Sequence, residues 1–138
     1  RRVLFRSMKQ MDFLWALQNV VKDSPIIIGD TFIPLGSYTS EALKTINFWQ
    51  KNEKQFVKAL SAEQAVRMFE QGATDFAILY QTDKKGFVLA LIDEKLHRPI
   101  EYIFAACKNG KAKNVAIIKE QITSKAVKDF MMQKGFGL

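Results

Sequence analysis

Three consecutive β-branched residues, Ile26-Ile27-Ile28, constrain this 138-residue chain more than any other stretch, because they run directly into Gly29-Asp30 and then into Pro34-Leu35-Gly36-Ser37-Tyr38. A continuous β-branched run suits a strand buried on both faces, the environment of a parallel sheet covered by helices. The Gly-Asp turn and the Pro-Leu-Gly bend then lead into a periodic segment, Tyr38 to Trp49, in which Ala42, Leu43, Ile46 and Trp49 recur at steps of three and four. Ser37 or Thr39 can cap that helix. A strand-loop-helix junction leaves backbone N–H groups without intrahelical acceptors, along a dipole that favours an anion over a cation.

The remaining chain continues the alternation. Asp12 can cap a short helix whose Phe13, Leu14, Leu17, Val20 and Val21 share a face, ended by Asp23-Ser24-Pro25. Phe56 to Leu60 reads as a strand entering Ser61-Ala62-Glu63-Gln64, which has capping-box spacing, so a second helix is predicted from Ala62 to Gln71 with a left-handed stop at Gly72. Asp75 to Tyr80 and Phe87 to Ile92 read as strands, closed by turns at 81–83 and 84–86. Ile100 to Cys107 reads as a long extended segment followed by an Asn109-Gly110 turn. A last helix is predicted from Asn114, carrying Val115, Ile118, Ile122, Val127, Phe130 and Met131, broken near Thr123-Ser124 and ending at Gly135. The fold class is therefore α/β, a mostly parallel sheet flanked by helices. Ligands of such sheets bind beyond the carboxyl ends of the strands, where three loops converge: 29–37, 60–62 and 80–83.

Composition narrows the function classes. Hydrophobic residues make up 48% and charged residues 25%, a balance that buries a real core. No apolar run approaches the roughly 18 residues of a membrane-spanning helix. The first seven residues carry arginines without an apolar stretch after them, so they are not a signal peptide and are expected to be a non-native leader. The net charge of +7 divides into +3 over residues 1–24, −1 over 25–107 and +5 over 108–138. A solvated lysine face on the last helix accounts for it, since Arg clusters interleaved with aromatics are missing, and no nucleic-acid partner is expected. Cys107 has no second cysteine and is expected to be a small buried hydrophobe; His97 has no companion at zinc-like spacing, so no metal site is expected.

Two of the three converging loops are helix starts, at Leu35 to Ser37 and at Ala62, and the third ends in the phenol of Tyr80. N–H and O–H donors without a nearby Lys or Arg suit a compact, fully ionised oxyanion held by neutral hydrogen bonds. Catalysis is not expected, because no nucleophile and base stand at useful spacing. Each feature also has a purely structural reading: Tyr80 as a wetted strand-end phenol, Ser61 as an N-cap, Gly36 as a bend residue.

The order and spacing of several motifs resemble the extracytoplasmic molybdate-binding proteins of ABC importers. Gly29-Asp30, Pro34-Leu35-Gly36-Ser37-Tyr38, Glu41-Ala42-Leu43 and Trp49 match that family's Gly-Asp, Pro-Ala-Gly-x-Tyr and Ala-Leu helix reaching a Trp. Glu70-Gln71-Gly72-Ala73-Thr74-Asp75 and Tyr80-Gln81-Thr82-Asp83 match its helix end and strand end, while Arg98-Pro99-Ile100-Glu101-Tyr102 and Lys134-Gly135-Phe136 resemble its return strand and terminus. The resemblance covers roughly residues 12–138. It implies one lobe of a type 2 periplasmic-binding-protein fold plus a C-terminal return strand and helix, with residues 8–102 as the second lobe and 103–138 as a return into an incomplete first lobe. By position the oxyanion donors fall on the backbone N–H of Leu35, the backbone N–H of Ala62 and the hydroxyl of Tyr80. The resemblance further implies molybdate or tungstate as ligand, no cofactor, no enzymatic activity, a transporter permease as partner and a periplasmic or extracytoplasmic location. The full-length family is monomeric, and dimerisation is one way for a shorter chain to cover Val115, Ile118 and Phe130. The alternative is the ligand-sensing domain of a transcriptional regulator with the same lobe architecture.

Overall fold

The computed structural model describes residues 12–83 and 86–136. The expected leader, residues 1–7, lies outside the described residues, as do residues 84 and 85 of the expected turn. The chain divides into two compact units, Arg1–Ile100 and Glu101–Leu138.

In the first unit, β1 (Ile26–Gly29) is the middle strand of a three-stranded parallel sheet, between β2 (Phe56–Ala59) and β3 (Phe76–Ala77). Every residue of β1 is buried, as the isoleucine run predicts. Its side chains alternate between two apolar clusters, the consequence of a period of two. Ile26 and Ile28 pack with Leu17, Val21, Leu43, Phe48 and Trp49, whereas Ile27 packs with Leu35, Ala59 and Ala65.

Helix α1 (Phe13–Ala16) begins where predicted, with the Asp12 carboxylate accepting from the Trp15 N–H at 3.0 Å, and continues as a π-helical turn over Leu17–Val21. That wider turn shifts the buried stripe. Ala16, Leu17 and Val21 are buried, while Leu14 and Val20, expected on the same face, are exposed. Helix α2 (Pro34–Thr45) starts earlier than predicted. Pro34 occupies its first position, where a missing N–H costs nothing and φ is already helical, and Ile33 before it is extended, as a residue preceding proline must be. Ser37 and Thr39 therefore lie inside the helix and are not its caps; the buried Thr39 hydroxyl donates to the Leu35 carbonyl at 2.7 Å. The helix also ends before Trp49, because Asn47 takes a left-handed φ of 56°. Trp49 opens a separate short helix, α3 (Trp49–Asn52), which a 3₁₀ turn over Glu53–Gln55 follows.

Helix α4 (Ala62–Glu70) starts where predicted and ends one residue before the predicted Gln71, which caps it. The Ser61 hydroxyl accepts from the Gln64 N–H at 3.0 Å, and the Gln64 side chain returns to the N–H of Leu60 at 2.6 Å, one residue earlier than in a standard capping box. At its other end Gly72 is left-handed (φ 73°), and the Gly72 and Ala73 N–H groups bond the Phe69 and Met68 carbonyls, a Schellman closure.

The later strands are shorter than the sequence suggests. Only Phe76 and Ala77 of the 75–80 run enter the ladder, followed by one further bond from the Ile78 N–H to Ile27. A partner can run beside β1 for no more than β1's own four residues. The 87–92 run is reduced to a single bridge residue at 90. In the second unit, residues 101–107 form no ladder with any described strand, and Cys107 is exposed rather than buried. A strand is stabilised by its neighbour's N–H and C=O groups, so an apolar run without that neighbour stays irregular. Two helices follow, α5 (Ala112–Ile122) and α6 (Lys125–Gln133), separated at the predicted Thr123-Ser124 break, where the Ser124 hydroxyl caps α6. Helix α5 starts two residues before Asn114. Ile118 and Phe130 are exposed and Val115 half-buried.

Candidate functional site

Parallel pairing puts the carboxyl ends of all three strands at one edge, with Gly29 beside Ala59 and Ile27 beside Ala77. The Asp30 N–H extends the ladder by one bond to the Ala59 carbonyl (2.8 Å), so the β1–α2 and β2–α4 loops leave side by side. Leu35, Ala62 and Tyr80 pack on one cluster around Ile27, Ala59 and Ala65. The structure thus brings the three predicted residues together, although they are 27 and 18 positions apart in the chain.

Each contributes a different group. Leu35 is buried in the cluster. As the second residue of α2 it has no acceptor four residues back within the helix. Ala62, the first residue of α4, is in the same position. The next N–H groups of α4 are already used: Gln64 donates to Ser61, and the Glu63 carboxylate takes its own backbone N–H. That bond, followed by one from the Ser61 hydroxyl, holds Glu63 below the usual glutamate range; Arg67 adds to this and desolvation opposes it. Tyr80 is half-buried and engaged in the surrounding network.

Two glycines make the α2 start possible. A Cβ on Gly29 would lie 2.6 Å from the Gly36 N, and a Cβ on Gly36 would overlap the carbonyls of Asp30 and Gly29. Gly36 is therefore required by close approach of two backbones, not by a bend of its own; its φ is not left-handed.

Sequence reasoning missed a strap across α2. A 3₁₀ turn over Glu94–Leu96, capped by Asp93, leads into Arg98. The Arg98 backbone N–H and Nη1 donate to the two carboxylate oxygens of Glu41 at 3.0 and 2.6 Å, and Nη2 donates to Ser37 Oγ at 2.9 Å. Its guanidinium lies 5.0 Å from the centroid of Tyr38, and the His97 ring meets Tyr38 edge-on. Thr45 completes the stripe by donating to the Leu96 carbonyl at 3.1 Å. The only hint in the sequence is that Ser37, Tyr38, Glu41 and Thr45 share one helical face; their partners lie more than 50 positions away.

Among the described residues no group of three or more His, Cys, Asp or Glu side chains is placed to hold a metal ion, and no helix is long and apolar enough to cross a membrane. An open depression lined by Thr123, Lys125, Lys128, Asp129 and Met132 contains none of the residues above.

Two proteins similar to this chain carry names that bear on the site. The molybdate-binding protein ModA of Haemophilus influenzae is 26% identical over 123 residues, 86% of this chain and 48% of its own length. The Bacillus subtilis lipoprotein YvgL, named on inference as an ABC transporter substrate-binding protein, is 26% identical over 106 residues, 73% of this chain and 41% of its own. The chain spans about half the length of these relatives. Its sequence from residue 8 to residue 137 matches one family throughout, a family of solute-binding proteins and not of enzymes. The chain, with its parallel α/β unit and its strand-to-helix loops at the carboxyl edge of the sheet, is thus a member of the bacterial extracellular solute-binding protein family.

Proposed function

We propose that this chain supplies the oxyanion-binding lobe of the solute-binding component of an ABC importer, and that its ligand is molybdate or tungstate. The observation that carries this reading is the meeting of two helix N-termini and the Tyr80 phenol on one cluster at the carboxyl edge of the sheet. The Leu35 N–H, the Ala62 N–H and the Tyr80 hydroxyl are the donors. Each hydrogen bond to a charged acceptor contributes about 1.5–3 kcal/mol, and each helix start adds a partial positive charge of about half a unit. Neutral donors hold a dianion that never needs to be protonated or neutralised, so it can be released intact.

Residues 8–102 act as one lobe and 103–138 as the return toward a second, which closes over the anion, excludes water and adds its own donors. The complete protein works outside the cytoplasm and delivers its ligand to a permease. Calorimetric titration with molybdate, tungstate and sulfate tests this reading, on this chain and on one extended to the length of its relatives. Tight binding by the longer chain and weak binding by this one are expected. Tyr80→Phe should weaken molybdate binding about tenfold or more, the loss of one charge-assisted hydrogen bond. If the longer chain ignores all three anions, the assignment fails.

A further inference from the structure

The Arg98 strap lies along the same helix whose first turn carries the Leu35 N–H. Glu41, which Arg98 engages with two hydrogen bonds, follows Leu35 by six residues and Gly36 by five, about 8–9 Å along the helix axis. It is half-buried, so its charge is only partly screened by water. An unpaired carboxylate there would oppose any anion at the helix start. Arg98 cancels that charge and, through Ser37 Oγ and the Tyr38 ring, holds the turn that presents the donors.

We propose that Arg98 is a charge-compensating and positioning residue of the oxyanion site, keeping the N-terminal half of α2 attractive to a dianion by neutralising Glu41. The inference rests on the oxyanion reading above. It differs from a purely structural clamp in the sign of one effect. If the strap only braced α2, removing either partner would weaken binding. If Arg98 acts through charge, removing Arg98 weakens binding and removing the Glu41 charge strengthens it, because Arg98 is then left as an uncompensated cation beside the site.

The test uses the whole chain, labelled for amide NMR, titrated with sodium molybdate at low salt and at about 1 M salt, where the screening length falls to about 3 Å. Arg98→Met is expected to raise the dissociation constant about fourfold at low salt, the size of one charge acting on a dianion at about 10 Å in a water-like dielectric. Glu41→Gln, which keeps the shape and an acceptor oxygen, is expected to lower it by a similar factor. The double variant should return to within about twofold of the parent, and all differences should shrink at high salt. Weakening by Glu41→Gln, or no change in either single variant, overturns the proposal. Should Arg98→Met fail to fold, the sign of the Glu41→Gln effect alone decides. A parent chain whose spectrum responds to neither molybdate, tungstate nor sulfate refutes the oxyanion reading and this inference with it; a parent that binds without the charge pattern refutes only the role of Arg98.

Discussion

At Gly36 a single added methyl group would overlap the backbone carbonyls of Asp30 and Gly29, so α2 would have to move away from β1. Gly36→Ala is expected to cost about 2–3 kcal/mol, the upper part of the range for overpacking, and to displace the Leu35 N–H; urea unfolding with a molybdate titration would show both losses together. Among the described residues, Glu63 has a carboxyl held below the usual glutamate range. Its folded-state pKa lies below the ordinary value, so its carboxylate stabilises the fold at neutral pH, and that contribution disappears as pH falls through the folded pKa. Urea midpoints of the parent and Glu63→Gln are expected to converge as pH drops below about 4, whereas a constant difference would mean the bond to its own N–H contributes nothing. The capping serine and the glycine stop near these residues are legible from local sequence. The Gly29–Gly36 contact is not, because a glycine needed for close approach looks the same in sequence as one needed for a turn.

Among the elements, α4 carries the most complete local instructions: a cap, a returning glutamine and a left-handed glycine. Ser61→Ala removes the acceptor for the Gln64 N–H and is expected to destabilise the unit by about 1 kcal/mol, read as a lowered melting temperature. Helix α2 depends on non-local partners as well. Leu43 is fully buried between the sheet and the first helix, and Leu43→Ala is expected to cost about 2–5 kcal/mol in denaturant unfolding. The predicted helix from Tyr38 to Trp49 is in fact two helices, since the periodic apolar positions continue past Asn47 although the backbone does not. Periodicity reports which side chains face the core and says little about whether one helix or two deliver them. The strand predictions at 75–80 and 87–92 overreach for a related reason: alternation and β-propensity mark segments able to pair, and the ladder forms only where a partner strand exists.

For the molecule as a whole, the two units differ in how their apolar residues are placed. In the first, Ile26, Ile27 and Ile28 are buried at the centre of the sheet; in the second, Tyr102, Ile103 and Phe104 are exposed, Ile103 at 86%. Native-state hydrogen exchange is expected to be slowest at the β1 amides and close to unprotected over residues 101–107, which the exchange pattern of the intact chain would show directly. Rapid exchange throughout β1 would mean the sheet is not the stable centre of the first unit.

The sequence by itself determined what is local and what repeats along the chain: the buried parallel strand at 26–28, the start of α4, the break at Thr123-Ser124, and the motif order that marks a solute-binding protein. Strand polarity in an α/β unit also pointed to the loops at 29–37, 60–62 and 80–83, and the family resemblance to Leu35, Ala62 and Tyr80 within them. Tertiary structure alone decided the start of α2 against Gly29, the lengths of the strands, the exposure of Cys107, and the pairing of Arg98 with Glu41. These depend on which backbones and charges meet when the elements pack, over separations that run up to 57 residues for Arg98 and Glu41, and such encounters are set by the packed arrangement of the elements and not by the neighbours of any residue in the chain.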